Sequence, residues 1–146
     1  MPPELTISPA NASQYQLIRT MLDEEGLPTA DIDTTIECLF LASLDGEFVG
    51  IGGIEPSPPD GLLRSLVIRR SVRGQGHGEA LCEALEAEAR KQGIDTLYLL
   101  TTTAAEFFAK LGYTEIGRAT VPETIRSTAQ FADLCPDTAV CLKKSL

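Results

Sequence analysis

The sequence predicts one mixed α/β (α+β) domain built around a central sheet, and three observations support this prediction. Strand-like apolar runs alternate with helical patterns along the whole chain. A glycine-rich loop at residues 73–78 joins a β-rich segment to a helical one. The length, 146 residues, suits a single domain with a sizeable core.

The chain begins with a short strand and a helix. Apolar Leu5 and Ile7 alternate with polar residues, as expected of a strand. Asn11 or Ser13 can cap a helix that runs to about Glu25, because their side-chain oxygens accept from free backbone N–H groups.

A second short helix and a hairpin are expected next. The helix spans residues 29–36, and the hairpin strands span residues 38–44 and 47–56. Asp45 and Gly46 between two apolar runs favour a tight type I′ turn. The prolines between 56 and 59 are interpreted as a rigid link to the strand ahead of the glycine loop.

Helical spacing resumes after the loop. Leu81, Leu85 and Ala89 recur at four-residue steps and predict a core-facing stripe on a helix that Gly93 ends. The apolar run at 96–101 is typical of a buried parallel strand.

Four further elements complete the expected order. They are a helix over 104–111, a strand over 113–121, a helix over 124–134 and a last strand over 138–142.

Composition excludes several function classes. The net charge of −9 disfavours nucleic-acid binding. No apolar run reaches about 18 residues, and the first residues lack a signal-peptide pattern, so no membrane partner and a cytoplasmic location are expected. The four cysteines lack C-x-x-C spacing, and Cys135 with Cys141 makes an incomplete metal site, so no metal and no disulfide are predicted.

The glycine loop predicts an anion site. Its glycines allow backbone N–H groups to point inward, and the following helix adds positive charge at its N-terminus. Four arginines crowd this segment of an acidic chain and favour a small anionic ligand: Arg64, Arg69, Arg70 and Arg73. The spacing does not fit the G-x-G-x-x-G fingerprint, since the glycines run G-x-G-x-G in the middle of the chain. It does not fit the P-loop either, because no Lys-Ser or Lys-Thr follows.

Three segments resemble the GCN5-related N-acetyltransferase (GNAT) superfamily. The R-x-x-G-x-G loop is similar to its motif A, and LYLLTTTAAEFFAKLGY at 97–113 is similar to its motif B. The tail at 121–144 looks like that of small arsenic-resistance-associated members, and LLTTTA also resembles bacterial N-acetylglutamate synthases. The resemblance implies a GNAT fold: a twisted, mostly antiparallel sheet of six to seven strands, flanking helices, and a parallel pair splayed at the acetyl-CoA site.

The resemblance also implies a cosubstrate site for acetyl-CoA. Backbone groups at 66–68 face the pantetheine arm, residues 74–79 wrap the pyrophosphate, and the Val67 N–H polarises the thioester carbonyl. The cosubstrate-binding residues implied are Leu66, Val67, Ile68, Arg73, Gly74, Gln75, Gly76, His77, Gly78, Glu79, Thr101 and Phe108. His77 is a loop residue in this interpretation, and Phe108 borders the pantetheine channel.

Two positions depart from the superfamily pattern. Phe108 stands where many members carry a tyrosine that protonates the thiolate, and Thr101 stands where an asparagine is common. The reaction can proceed without that acid, because a thiol with a pKa near 8.5 leaves tolerably as thiolate.

The expected reaction is attack of a small amine on acetyl-CoA in a ternary complex. Glu55 is the first candidate base, acting through water, and Glu115 and Tyr113 are weaker ones. Arg64 cannot be a base, but it can clamp a carboxylate, arsonate or phosphinate, which favours an acidic amino acid or a toxic analogue as acceptor.

Two other functions stay open at this stage. One is a protein N-acetyltransferase, since an acidic surface suits a basic peptide. The other is a non-catalytic acyl-CoA-binding or metalloid-sensing module, which Phe108 favours weakly. A homodimer is an option because dimers are common in this superfamily.

Overall fold

The computed structural model describes residues 5–26, 29, 38–102, 104–128 and 139–146. Seven strands form one sheet: β1 (Leu5–Pro9), β2 (Leu39–Leu44), β3 (Glu47–Ser57), β4 (Asp60–Ile68), β5 (Thr96–Thr101), β6 (Thr114–Ile116) and β7 (Val140–Ser145). In the described part of the chain four α-helices accompany them: α1 (Tyr15–Glu24), α2 (His77–Lys91), α3 (Ala105–Lys110) and α4 (Glu123–Arg126).

The sheet is mostly antiparallel, in the order β1-β2-β3-β4-β5-β7-β6. Among the described strands only β4 and β5 pair in parallel, and the long crossover between them carries the glycine loop and α2. This arrangement confirms the predicted fold class, a mixed α+β sheet of up to seven strands with flanking helices.

Helices cover both faces of the sheet. On one face the predicted stripe of α2 is fully buried, at Leu81, Leu85 and Ala89. On the other face α1 packs through Ile18 and Leu22. A fully buried leucine or isoleucine contributes about 1.5–3 kcal/mol, so these contacts hold the helices on the sheet.

Local signals placed two N-terminal features correctly. Asn11 caps a 3₁₀ turn over Ala12–Gln14 that leads directly into α1, and its side chain and that of Gln14 form a capping box with the backbone. Asp45 and Gly46 both have positive φ, at 53° and 81°, as the predicted type I′ turn requires.

Three expectations need correction. The proline segment is not a separate link: Pro56 belongs to β3, and residues 58–59 form the turn of a β3–β4 hairpin. The strand expected over 113–121 ends at Ile116, because a 3₁₀ turn over Arg118–Thr120 takes the following backbone donors. The last strand begins later and ends later than expected, as β7 spans Val140–Ser145.

Two helix expectations involve undescribed residues. The helix over 29–36 lies outside the described residues except for residue 29. The helix expected over 124–134 is wrong in its described part, because α4 ends at Arg126 and residues 127–128 form a turn; residues 129–134 lie outside the described residues. None of the described helices is long and apolar enough to cross a membrane.

Candidate active site

A cleft opens where β4 and β5 diverge. The described parallel pairs run only from Asp60–Thr96 to Leu62–Tyr98. Beyond them the two strands border a cleft of about 630 Å³, with the glycine loop at one end and α3 at its side. It is lined by Glu25, Leu63, Arg64, Ser65, Leu66, Val67, Ile68, Arg73, Gly74, Gly76, His77, Gly78, Glu79, Leu99, Leu100, Thr101, Ala104, Phe107 and Phe108.

A β-bulge bends β4 beside this cleft. Gly53 lies opposite Arg64 but Ile51 lies opposite Val67, so two residues of β4 face Gly52 alone. One of them, Ser65, has a φ of 58°, a left-handed conformation that is uncommon without glycine. Because a bulge adds twist and bends its strand, it accounts for the divergence of β4 from β5. No local sequence signal predicts this bulge, since neither Ser65 nor Leu66 is a glycine.

The glycine loop has the geometry expected of an anion site. Gly74 and Gly76 have φ values of 80° and 82°, and Gly76 is the N-cap of α2. The first N–H groups of a helix have no partner within it, and here they begin at His77 beside the cleft. Among the predicted loop residues, Gln75 is outside the cleft lining.

Aromatic rings form the side of the cleft at α3. Phe108 is buried and stands edge-on to both Phe107 and Tyr113, with ring centroids 5.1 and 5.5 Å apart. Phe107 lines the cleft and is 37% exposed. A Cβ at Gly78 would stand 3.1 Å from the Phe107 ring, so the absence of a side chain at Gly78 lets the ring approach the loop.

Thr101 lies at the cleft end of β5. Its hydroxyl accepts a hydrogen bond of 3.0 Å from the Ala104 N–H, just ahead of α3. Thr101 therefore helps to place α3, and it also lines the cleft.

Three loop arginines are held by groups of the protein itself. Arg69 donates to the Phe48 carbonyl at 3.1 Å and stacks over its ring. Arg70 and Arg73 both donate to one oxygen of Glu25, and Arg73 also donates to the Ile68 carbonyl at 2.8 Å. The hydrogen bond from Arg73 is the main reason why the pKa of Glu25 is lowered.

Arg64 and Glu55, predicted to act separately, form one ion pair. Their Nη1 and Oε2 atoms are 3.3 Å apart, and the Arg64 side chain is fully buried. Arg64 Nε also donates to Ser65 Oγ at 3.1 Å, which ties the pair to the bulge. Arg64 lines the cleft, whereas Glu55 lies outside its lining and keeps 18% of its side chain exposed.

A second carboxylate is buried away from the cleft. Glu86 of α2 accepts a hydrogen bond from the Tyr113 hydroxyl at 3.1 Å and pairs with Lys144 of β7 at 2.9 Å. Burial, with the charge of Glu86, raises the pKa of Tyr113 well above its ordinary value, so Tyr113 is unsuited to act as a base. The sequence concealed this network because its three members are far apart along the chain.

Three cysteines are described as free thiols; Cys82 and Cys141 are buried, and Cys38 is half-buried. Burial raises the pKa of Cys82 to about 12 and that of Cys141 to about 11. Cys135 lies outside the described residues. Within the described part of the chain, no group of three or more His, Cys, Asp or Glu residues is arranged to hold a metal ion.

Comparison with known proteins identifies the family. The sequence profile of the acetyltransferase (GNAT) domain matches residues 35–115, more than half of the chain. This protein therefore belongs to the GNAT acetyltransferase family.

Particular relatives refine the comparison. The chain is 32% identical over 84 residues to an amino-acid acetyltransferase of Ralstonia nicotianae, a match that covers 56% of this chain and 19% of that protein. The chain thus spans about a fifth of the length of this relative.

Solved structures show the same fold. N-acetylglutamate synthase from Neisseria gonorrhoeae, complexed with coenzyme A and N-acetyl-glutamate, superposes with a TM-score of 0.81 at 22% identity, over 97% of this chain and 35% of that one. Rv2747 from Mycobacterium tuberculosis, in complex with CoA and NLQ, gives 0.78 at 22% identity, over 97% and 99% of the two chains.

Proposed function

We propose that this protein is an acetyl-CoA-dependent N-acetyltransferase whose acceptor is a small amino acid or an amino-acid-like compound. The observation that carries the proposal is the cleft between β4 and β5, which runs from a strand edge to the glycine loop at the N-terminus of α2. A pantetheine arm can complete the interrupted pairing of the strands, and a pyrophosphate fits the loop.

The cosubstrate would extend along the cleft. Its pantetheine arm would follow the backbone of Leu66, Val67 and Ile68, and Phe107 and Phe108 would form the opposite wall. In this pose the Val67 N–H would donate to the thioester oxygen, where negative charge develops during attack.

The acetyl transfer would be direct. The acceptor nitrogen forms a bond to the carbonyl carbon, the carbon–sulfur bond breaks, and the sulfur leaves with its electron pair as thiolate. Phe108 has no acidic proton to give to the sulfur, and a thiol is acidic enough for its thiolate to leave without that proton. The proton of the amine would pass through water to Glu55, whose carboxylate has a partner in Arg64 and reaches solvent.

The Arg64–Glu55 pair also supports the acceptor class. A buried guanidinium beside a carboxylate is complementary to a zwitterion, because one group attracts the acceptor's carboxylate and the other its ammonium. Arg64 would bind an acidic head group, which is a carboxylate in an amino acid and an arsinate or phosphinate in a toxic analogue. Similarity to amino-acid acetyltransferases supports an amino acid as the acceptor, and the sequence of the tail supports an arsenic-containing analogue.

The test is thiol release from acetyl-CoA in the presence of separate acceptor pools. The pools are amino acids, glutamate analogues with phosphinate or arsinate heads, polyamines and basic peptides, with N-acetylated versions of each pool as controls. We expect release with the first or second pool alone. Release with the peptides alone would identify a protein N-acetyltransferase, and tight acetyl-CoA binding without release would identify a non-catalytic binding module.

A further inference from the structure

Glu25 places a negative charge inside the cleft proposed for acetyl-CoA. It directly follows α1, and it lines the same cleft as Gly74, Gly76 and Gly78. It also lines a neighbouring cavity of about 450 Å³ on the α1 side of the loop.

Glu25 engages the two arginines nearest the glycines. Its Oε1 atom accepts hydrogen bonds from Arg73 and, at 3.3 Å, from Arg70. Arg70 donates in addition to the carbonyl of Glu24, at 3.3 Å, where the carbonyls that end α1 lack helical partners. The end of α1 is therefore fastened to the loop by charges that would otherwise attract an anionic ligand.

These ion pairs lie within reach of solvent. The side chains of Arg70 and Arg73 are 67% and 43% exposed, and that of Glu25 is 25% exposed. Pairs of this kind are weak and exchange partners readily, so a stronger anion can replace the carboxylate. A pyrophosphate carries more charge and more acceptor oxygens than one carboxylate, and guanidinium groups bind it bidentately.

We propose that Glu25 is an affinity-determining residue that competes with the pyrophosphate of acetyl-CoA for Arg73. The inference rests on the proposed cosubstrate site. Acetyl-CoA binding then exchanges one anion for another at Arg73, and it loosens the contact between α1 and the loop. The carboxylate keeps the affinity for the cosubstrate lower than the loop alone would allow.

The experiment measures the dissociation constant of acetyl-CoA by calorimetry for the wild type and four variants. Glu25→Gln keeps an oxygen that can accept from Arg73 but removes the charge. Glu24→Gln makes the same change of charge one residue away, on an exposed side chain outside the cleft lining, and serves as the matched control. Glu25→Gln combined with Arg73→Gln, compared with Arg73→Gln alone, tests whether the effect passes through Arg73.

We expect Glu25→Gln to bind acetyl-CoA about three- to fivefold more tightly, in keeping with the strength of exposed ion pairs. Glu24→Gln should stay within about 1.5-fold of the wild type. The gain should vanish when Arg73 is already glutamine, and it should persist with 3′-dephospho-acetyl-CoA, which retains the pyrophosphate.

Other results overturn the inference. Weaker binding by Glu25→Gln would make the carboxylate a brace for the loop, and an equal gain in Glu24→Gln would reduce the effect to net charge. A gain that disappears without the 3′-phosphate would exclude the pyrophosphate as the competing group. Each of these leaves the proposed transferase intact, whereas a wild type that does not bind acetyl-CoA would refute that function itself.

Discussion

Glu86 and Glu55 each pair with a cation, but they lie on opposite faces of the sheet. Glu86 belongs to α2, and Ile54 of β3 packs in the same cluster as this helix. Since side chains alternate along a strand, Glu55 points to the other face. The side chain of Glu86 is 5% exposed and its network stays clear of the cleft, whereas the partner of Glu55 lines the cleft.

The difference concerns what each pair is able to do. The network of Glu86 connects α2, β7 and the turn before β6, with every partner supplied by the protein. Such an enclosed network fixes the elements relative to each other, and removal of one partner leaves a buried charge without its counter-charge. Arg64 lines an open cleft, whereas Glu55 lies outside its lining. We therefore expect the network of Glu86 to serve stability, and the pair of Arg64 and Glu55 is the one to which the proposed function assigns acceptor binding.

The largest effect is expected when the ion pair between Arg64 and Glu55 is broken. Arg64→Met should lower kcat/KM for an acidic amino-acid-like acceptor about a hundredfold, because a charge-assisted bidentate contact is lost. Arg64→Lys should fall between the wild type and Arg64→Met, since lysine keeps the charge but not the planar fork. Steady-state kinetics should show the KM for acetyl-CoA within about threefold of the wild type. An equal rise in both KM values would assign Arg64 a purely structural role.

The next largest effect is expected when the ion pair between Glu86 and Lys144 is broken. Lys144→Met should reduce the free energy of unfolding by about 2–3 kcal/mol, because Glu86 is left buried without its counter-charge. Lys143→Met, on the exposed neighbour, should change it by less than about 0.5 kcal/mol. Urea unfolding measures both values. If the folded Lys144→Met protein lost turnover as severely as Arg64→Met, the contrast between the two faces would not hold.

The sequence predicted the regions in which local signals agree with the tertiary structure. The stripe of Leu81, Leu85 and Ala89, the Asp45-Gly46 turn and the glycine loop each depend on residues close together in the chain. Such signals act through backbone conformation and helical periodicity, and a single sequence contains both.

The features that escaped prediction depend on contacts between distant segments. Ser65 occupies a conformation that its residue type does not favour, because the register of β3 and β4 imposes it. Glu55 and Arg64 are nine positions apart and meet across that same hairpin. The strand at 114–116 stops earlier than predicted because the N–H groups of Thr120 and Val121 bond within a 3₁₀ turn instead of to a neighbouring strand.

Alkaline pH offers a finer comparison of the two faces through their buried thiols. In the folded state the pKa is about 12 for Cys82, beside Glu86, and about 11 for Cys141, on the other face. Above about pH 9 an unfolded cysteine thiol loses its proton, whereas the folded protein keeps the protons of Cys82 and Cys141. Because the folded state then binds more protons than the unfolded state, the free energy of unfolding falls as pH rises.

Each thiol contributes at most about 1.4 kcal/mol per pH unit to that fall. Cys82→Ala should flatten the decline from about pH 9 to 12, and Cys141→Ala only from about pH 9 to 11. Urea unfolding under reducing conditions across this range measures the slopes. Equal windows for the two variants would contradict the larger rise of the Cys82 pKa, which burial causes first and the charge of Glu86 second, while Arg118 lowers that of Cys141.

The smallest expected effect concerns the bulge that opens the cleft. Ser65→Ala and Ser65→Gly both remove the hydroxyl that accepts from Arg64 Nε, so their difference isolates the left-handed backbone at this position. Alanine keeps the steric conflict of its Cβ with the backbone and glycine does not, so Ser65→Gly should be the more stable variant by about 1 kcal/mol. Thermal unfolding of the two proteins side by side gives this difference. If the alanine variant were equally stable, the bulge would carry no conformational strain, and the divergence of β4 from β5 would need only the local register. A clear advantage for glycine would instead show that backbone strain is stored at Ser65, beside Arg64 and Glu55. Among the described residues of β3, β4 and β5, no other non-glycine residue has a positive φ, so the face that carries Glu86 has no such strain.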